Sequence, residues 1–247
     1  MIKLFRNIRK NLIIESKTSK YFKYAIGEIV LVVIGILIAL QINTWNENRK
    51  ERFIEQKILQ SLNNDLETDI ANIKSMISND STLNQTNIKL IKLLKDTHTE
   101  YDSSFSKMFG NINRYDLFYP QKMGYEALKS KGLEILRNDS LKSQIVNLYD
   151  FQYALMAESM DLKKQLYLDT NLIFNEQLQT VVNDTSTNIG FAFIKTPNDF
   201  KALKINNNFM GNLTHITVEQ FNFLIYDREI LKKMETTKTN IEHELKK

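Results

Sequence analysis

The feature that most constrains the fold of this chain is an apolar segment that runs from Ala25 to Trp45. Twelve of the residues from Ile26 to Ile42 are Ile, Leu or Val, and Glu28 is the only charged residue of the segment before Glu47. About 20 residues of helix, at a rise of ~1.5 Å each, cross a ~30 Å hydrocarbon core. The length and composition therefore predict a single transmembrane helix.

The acidic side chain of Glu28 does not overturn this prediction. On an insertion scale, the twelve aliphatic residues contribute about −4 to −7 kcal/mol, whereas a central acidic residue costs roughly 2.5 to 3.5 kcal/mol. Two alternatives remain, of which the first is a buried core helix, since Gln41 and Asn43 are polar. The second is a cleaved signal peptide, which Leu40–Ile42 disfavours because it offers no small-x-small cleavage site.

Aromatic and basic residues around the segment indicate its orientation. Tyr21 and Tyr24 before the segment and Trp45 at its end are expected to anchor it at the two interfaces. Seven basic residues and one acidic residue precede Ala25, whereas basic and acidic residues are interleaved after Trp45. This bias predicts a cytoplasmic N-terminus and a C-terminal domain on the periplasmic side of the inner membrane.

The net charge of +4 is unevenly distributed along the chain. The first 24 residues carry +6, and the remainder carries −2. Apolar residues alternate with Lys3, Arg6, Arg9 and Lys10 at helical spacing, which predicts an amphipathic segment that contacts the anionic lipids of the inner leaflet. The acidic remainder gives no electrostatic basis for binding nucleic acid.

Beyond the apolar segment, the hydrophobic pattern is helical throughout. The spacing predicts a long helix over residues 54–77, a shorter second helix over 83–94, and two further long helices over 141–173 and 209–245. Polar residues and single prolines predict irregular structure over 97–121 and 183–199. No cysteine is present, which excludes disulfides and thiolate sites.

These patterns predict an all-α protein in three parts. Residues 1–24 form the basic cytoplasmic segment, residues 25–45 the transmembrane helix, and residues 46–247 an extracytoplasmic domain. No Gly or Pro separates the span from the helix that follows it, so we expect one to continue into the other. Each later helix has a single apolar stripe, and an antiparallel bundle of long helices would bury them all.

The clearest motif outside the apolar segment runs from Tyr125 to Leu141. Gly132 fits the position that ends a helix, and Leu133 follows where a contact back to Leu128 would lock the turn. Asn138, or its neighbour Asp139, fits the cap of the next helix. We interpret the motif as a helix-turn-helix joint within the bundle, with a loop that faces a partner as the alternative.

Two stretches of the chain carry a resemblance to a known family. Lys23–Asn43, followed by Trp45–Glu47, is similar to the N-terminal signature of an uncharacterised bacterial family of single-pass membrane proteins, classed as a domain of unknown function. Tyr125–Leu141 is similar to the central motif of that family. The resemblance implies an envelope location and a helical domain, and it implies no activity, cofactor or catalytic residue.

No constellation of residues indicates catalysis, a metal site or a cofactor. The three histidines, His98, His215 and His243, are far apart in sequence, and the glycines form no phosphate-binding loop. The carboxylates of Glu67 and Asp69 are expected on solvated helix faces. We therefore expect a protein that is not an enzyme and that uses no cofactor.

The apolar segment has one face with a distinct composition. At about 100° per residue, Glu28, Gly35, Ala39 and Asn46 lie on the same side of the helix. Gly35 and Ala39 form a small-xxx-small pair, which permits close approach of another helix. We expect this face to pack against a second transmembrane helix, either from a second copy of the chain or from another membrane protein.

Two classes of function are compatible with the sequence. The first is an interaction or scaffold protein that acts through its bundle and its transmembrane face. The second is an extracytoplasmic ligand sensor that signals through a separate membrane or cytoplasmic partner. A solvent-reaching cavity lined by residues such as Tyr125 or Tyr149 would favour the sensor, and a fully packed core would favour the scaffold.

Overall fold

A computed structural model describes residues 18–181 and 194–247 of the chain, and the predicted all-α class is confirmed. Helix α1 spans Thr18–Lys95, so it contains the whole apolar segment and the first predicted amphipathic helix. The chain divides into two units, Met1–Glu55 and Gln56–Lys247. The three-part division of the sequence stays a prediction.

The second unit contains six further α-helices and a small sheet among its described residues, together with 3₁₀ helices at Ser103–Phe105 and Leu133–Ile135. The helices are α2 (Ser106–Gly110), α3 (Met123–Lys131), α4 (Asp139–Val146), α5 (Tyr153–Gln177), α6 (Phe200–Lys204) and α7 (Asn207–Leu245). A π-helix over Asn147–Gln152 joins α4 to α5. Strands β1 (Leu178–Val181) and β2 (Ile194–Pro197) pair antiparallel, with Leu178 opposite Pro197.

The three long helices of this unit run in two directions. Tyr153 and Lys163 of α5 bond to Asp69 and Asp80 of α1 respectively, so these two helices are parallel. Lys74 of α1 pairs with Glu235 of α7 at 2.7 Å, whereas Asn84 bonds to the Thr217 carbonyl at 2.6 Å, so α7 is antiparallel to α1. The long connection over residues 96–122 carries the chain back along the bundle before α5 begins.

Polar side chains begin several helices where the sequence changes from loop to helix. Asn138 accepts a hydrogen bond from the Leu141 N–H at 3.1 Å, and Asn206 accepts one from the Phe209 N–H at 3.0 Å. Asp199 accepts bonds from the first amides of α6. Each cap satisfies donors that have no partner within their own helix.

A hydrophobic core closes one end of the bundle. It brings α1, α5 and α7 together with α2, β1 and α6, and its buried members are Leu90, Leu94, Phe109, Ile112, Phe174, Leu178, Phe200, Leu203, Phe209, Leu213 and Ile216. Phe174 and Phe209 meet edge to face, with ring centroids 5.3 Å apart. The last turns of α5 and the first turns of α7 are therefore held by aromatic packing.

The predicted separate helix over residues 83–94 is wrong, because these residues belong to α1. The polar run Ser78–Thr82 that separates the two hydrophobic patterns contains no Gly or Pro, and such residues cost only a few tenths of a kcal/mol each in a helix. The Thr82 hydroxyl also bonds to the Ser78 carbonyl at 3.0 Å, inside the helix. Of the predicted irregular segment 183–199, residues 183–193 lie outside the described residues.

Candidate functional site

The predicted transmembrane face lies in the most exposed part of α1. The apolar side chains from Ile26 to Ile42 are 47–64% exposed, and an 18-residue window of mean hydropathy 2.6 has none of its residues buried. A β-carbon on Gly35 would have nothing within 4 Å. The described chain therefore contains one helix, near its N-terminus, that is long and apolar enough to span a membrane.

The structure describes the side chain of one of the three predicted interface anchors, Trp45. The ring of Trp45 is 62% exposed, and the guanidinium carbon of Arg49 lies 5.9 Å from its centroid. The side chains of Tyr21 and Tyr24 lie outside the described residues, as do residues 1–17 with the predicted lipid-binding cations. The packing of Glu28, Gly35, Ala39 and Asn46 against a second span stays a prediction.

The central motif is a joint between α3 and α4. Helix α3 ends at Lys131, and Gly132 follows with φ +92°, a backbone conformation that L side chains rarely adopt. Tyr125 and Leu128 are buried, and Asn138 caps α4 as predicted. The contact between Leu133 and Leu128 stays a prediction.

The motif also contributes Tyr125 to a cluster of three tyrosines. The Tyr125 ring stacks on that of Tyr149 with centroids 4.6 Å apart, and Tyr149 meets Tyr153 edge to face at 5.0 Å. The Tyr125 hydroxyl donates to Asp150 at 2.6 Å. Tyr149 and Asp150 both belong to the π-helix, an irregularity that often occurs at functional sites. The rings of Tyr125 and Tyr149 fill the core between α3 and the π-helix.

Two carboxylates of α1 fix the segment that enters α3. Asp65 accepts a hydrogen bond from the Gly124 N–H at 2.7 Å. Asp69 accepts bonds from the Gln121 N–H at 2.9 and 3.2 Å and from the Tyr153 hydroxyl at 2.9 Å. The same two side chains therefore position the loop before α3 and a tyrosine of α5.

The prediction that Asp69 lies on a solvated face is wrong, because Asp69 is fully buried. Burial raises the pKa of its carboxyl group from 3.8 to about 6, against the lowering effect of the bonds from Gln121 and Tyr153. The sequence does contain a signal for this position. Asp69 follows Leu66 by three residues and precedes Ile73 by four, so it continues the apolar stripe of the helix.

A second buried polar cluster joins the three long helices. The Lys163 ammonium of α5 lies 3.2 Å from a carboxylate oxygen of Asp80 in α1 and 3.0 Å from one of Asp227 in α7. All three side chains are more than 90% buried. Burial raises the pKa of both carboxyl groups, and the nearby ammonium opposes this shift.

The cluster leaves part of its hydrogen-bonding capacity unused. The second oxygens of Asp80 and Asp227 have no partner among the described residues. A cavity of about 20 Å³ lies beside Asp80 and Lys163, with Tyr167 and Phe223 in its wall. This space suits one water molecule. The hydrophobic pattern did not predict this cluster, although its members occupy core positions of amphipathic helices.

One recess near these clusters is an aromatic pocket of about 430 Å³ between the loop over residues 115–122 and α5. Its floor consists of the buried side chains of Phe118, Tyr153, Met156 and Met160. Phe118 and Tyr153 meet at a steep angle, with ring centroids 6.1 Å apart. Because Tyr153 bonds to Asp69, the floor is tied to the same carboxylate that holds the loop.

The rim of the aromatic pocket is exposed and charged. Tyr119 is 73% exposed at its mouth, and Ala157 is exposed on the side of α5. Two basic residues, Lys122 and Lys164, and one acidic residue, Asp161, also belong to the lining. The pocket therefore combines an apolar floor with a net positive rim. The sequence does not predict the aromatic pocket, because its walls come from segments more than 30 residues apart.

Comparison with known proteins gives one match. The chain matches a family described as "Family of unknown function (DUF6090)" over residues 28–170, a range that includes most of the apolar segment and the whole central motif. No curated protein and no solved structure matches the chain. Because the matched range covers more than half of the 247 residues, the chain belongs to this family of unknown function.

Proposed function

We propose that this chain is a single-pass inner-membrane protein, with residues 1–24 in the cytoplasm and its helical domain on the periplasmic side. The observation that carries the proposal is the exposed apolar stretch of α1. Eighteen consecutive residues of this stretch have a mean hydropathy of 2.6, and none of them is buried. An exposed apolar surface of this extent is unfavourable in water and marks a membrane or protein contact. The excess of basic residues before Ala25 supports the orientation.

The domain acts, in this proposal, by binding other molecules and not by catalysis. Its anchored partner is a second copy of the chain or another membrane protein, which packs on the face formed by Glu28, Gly35, Ala39 and Asn46. Open space around Gly35 supports close approach by another helix. The basic N-terminal segment adds an attraction to anionic lipids.

The aromatic pocket favours a second candidate, a ligand sensor. Tyr125 and Tyr149 are buried and stacked on each other, which favours a packed scaffold core. The neighbouring Tyr153, however, lines a recess with an exposed rim. Its volume of about 430 Å³ falls in the range of small-molecule sites, which is roughly 300–1,000 Å³. A sensor of this kind would signal through a separate partner.

The absence of cysteine allows a direct test of anchoring and orientation. Ser16→Cys places a thiol before the span, and Ser130→Cys places one on an exposed position of α3. In spheroplasts, a membrane-impermeant maleimide should label the Ser130→Cys protein, and it should label the Ser16→Cys protein only after lysis. The reverse pattern would overturn the orientation, and release of the protein by alkaline carbonate would overturn the anchoring.

A tagged full-length chain separates the two functional candidates. After gentle solubilisation, a scaffold should retain a stoichiometric protein partner, and this partner should be lost when Gly35 and Ala39 are both replaced by Ile. A sensor should retain its partner only in a ligand-dependent way. Recovery of the chain as a monomer without any partner under all conditions would contradict the scaffold.

A further inference from the structure

We propose that the aromatic pocket binds a small planar aromatic carboxylate. This inference rests on the sensor candidate and names its class of ligand. The apolar floor of Phe118, Met156 and Met160 excludes a strongly hydrated ligand, since each buried polar group without a partner costs free energy. Aromatic rings in the floor and at the mouth favour a flat ring, which they contact edge to face or offset-stacked.

The charges at the rim decide between an anion and a cation. Aromatic walls alone would also suit a quaternary ammonium group. The lining contains two lysines, Lys122 and Lys164, and one acidic residue, Asp161. Neither lysine forms a salt bridge with a carboxylate within the part of the chain that the structure describes, residues 18–181 and 194–247. Two basic residues and one acidic residue give the lining a net positive charge, which attracts an anion and repels a cation. A single carboxylate on the ligand would complement the net charge of the rim.

The pocket is formed before any ligand binds. Asp69 holds the Gln121 backbone and the Tyr153 hydroxyl at 2.9 Å each, and Asp65 holds the Gly124 backbone at 2.7 Å. The loop wall and the floor are therefore fixed by hydrogen bonds to two buried carboxylates of one helix. A preformed site avoids the entropic cost of ordering a loop on binding.

The class of ligand is tested with 2-naphthoate and full-length protein in lipid nanodiscs, by isothermal titration calorimetry. Empty nanodiscs measure partitioning into lipid. We expect saturable binding of 2-naphthoate, and at least tenfold weaker binding of the neutral 2-naphthamide and of 2-naphthyltrimethylammonium. The Lys122→Gln/Lys164→Gln variant should lose at least tenfold in affinity for the carboxylate. Lys232→Gln, at an exposed lysine of α7, is the matched control and should bind as the wild type does.

The location is tested with Ala157→Phe, which places a large ring in the pocket from an exposed position. This variant should abolish binding while the thermal unfolding of the domain stays unchanged; if it does not fold, the lysine variant carries the test. Equal affinity for the amide, or no effect of the lysine variant, would overturn the anionic class. No binding of 2-naphthoate to the wild type would overturn the inference, whereas the maleimide labelling pattern tests the membrane function independently.

Discussion

The α-carbon of Gly124 lies so close to the backbone of Leu62 that a β-carbon at position 124 would stand 2.6 Å from the Leu62 nitrogen. The neighbouring atoms belong to the backbone of α1, which cannot move aside as a flexible side chain would. The same glycine donates its N–H to Asp65 at 2.7 Å. Close backbone approach and a carboxylate cap together dock the start of α3 on α1.

The first prediction concerns this close approach. Gly124→Ala should destabilise the domain by about 1–3 kcal/mol, the usual cost of overpacking a filled core. Gly211→Ala is the matched control, because a β-carbon at Gly211 meets nothing within 4 Å and Ala favours a helix interior. The control should gain about 0.5–1 kcal/mol. Thermal unfolding of the full chain in detergent, followed by circular dichroism, measures both; equal stability of the two variants would contradict the packing argument.

The second prediction concerns the pH dependence contributed by Asp69. Its carboxyl pKa is about 6 in the folded state and near 3.8 when the chain is unfolded. Between these values the folded state binds more protons, so raising the pH favours unfolding. The stabilising contribution of the protonated Asp69 carboxyl group is complete below pH 3.8 and is lost as the pH rises through about 6.

Asp69→Asn tests this sign. The amide oxygen still accepts from the Gln121 N–H, and the group no longer titrates. Between pH 5 and pH 7.5, the wild type should therefore lose stability relative to the variant, as measured by urea unfolding of each protein at matched ionic strength. Comparing the two proteins cancels the contributions of Asp80 and Asp227, which both proteins contain. If the free energies of unfolding of the wild type and the variant change in parallel with pH, the pKa of Asp69 lies in the ordinary range and the prediction is wrong.

The third prediction concerns the cluster around Lys163. Lys163→Met leaves the carboxylates of Asp80 and Asp227 buried without their cation, and this should cost about 3–5 kcal/mol at neutral pH. Adding Asp227→Asn to this variant should recover part of the loss, because one buried charge is removed. Lys164→Met, at the next and exposed position, is the control and should change the free energy of unfolding by less than about 0.5 kcal/mol. If the effects of Lys163→Met and Asp227→Asn on the free energy of unfolding are additive, the two side chains are not coupled and the prediction is wrong.

The fourth prediction concerns the transmembrane face. With a single cysteine introduced as Asn46→Cys, two spans that pack on this face should form a disulfide-linked dimer in the membrane. Replacing Gly35 and Ala39 with Ile should abolish the dimer by preventing close approach. Gly27→Ile is the control, because Gly27 also has open space around it but lies about 100° from Glu28. Undiminished crosslinking of the double variant would exclude this face as the interface.

Periodicity predicted the long helices because burying one side of a helix requires apolar residues every three or four positions. Periodicity did not predict burial where polar residues occupy those positions. Asp69, Asp80 and Asp227 each fall on a buried stripe. Their position on the stripe indicates burial, but acidic side chains are almost never fully buried unless they are paired, so the residue type favours a solvated position. The polar run around Asp80 likewise suggested a break in α1, although its buried carboxylate faces Lys163.

The sequence by itself determined the apolar span, the charge distribution, the all-α class and the caps at Gly132 and Asn138, because each depends on residues that are close together along the chain. Only the tertiary structure decided that Asp65 and Asp69 hold the start of α3, that Lys163 joins three helices, and that residues 115–122 form a pocket with α5. These features depend on distances between segments far apart in sequence. A local pattern carries no information about which distant residue supplies the partner of a buried charge.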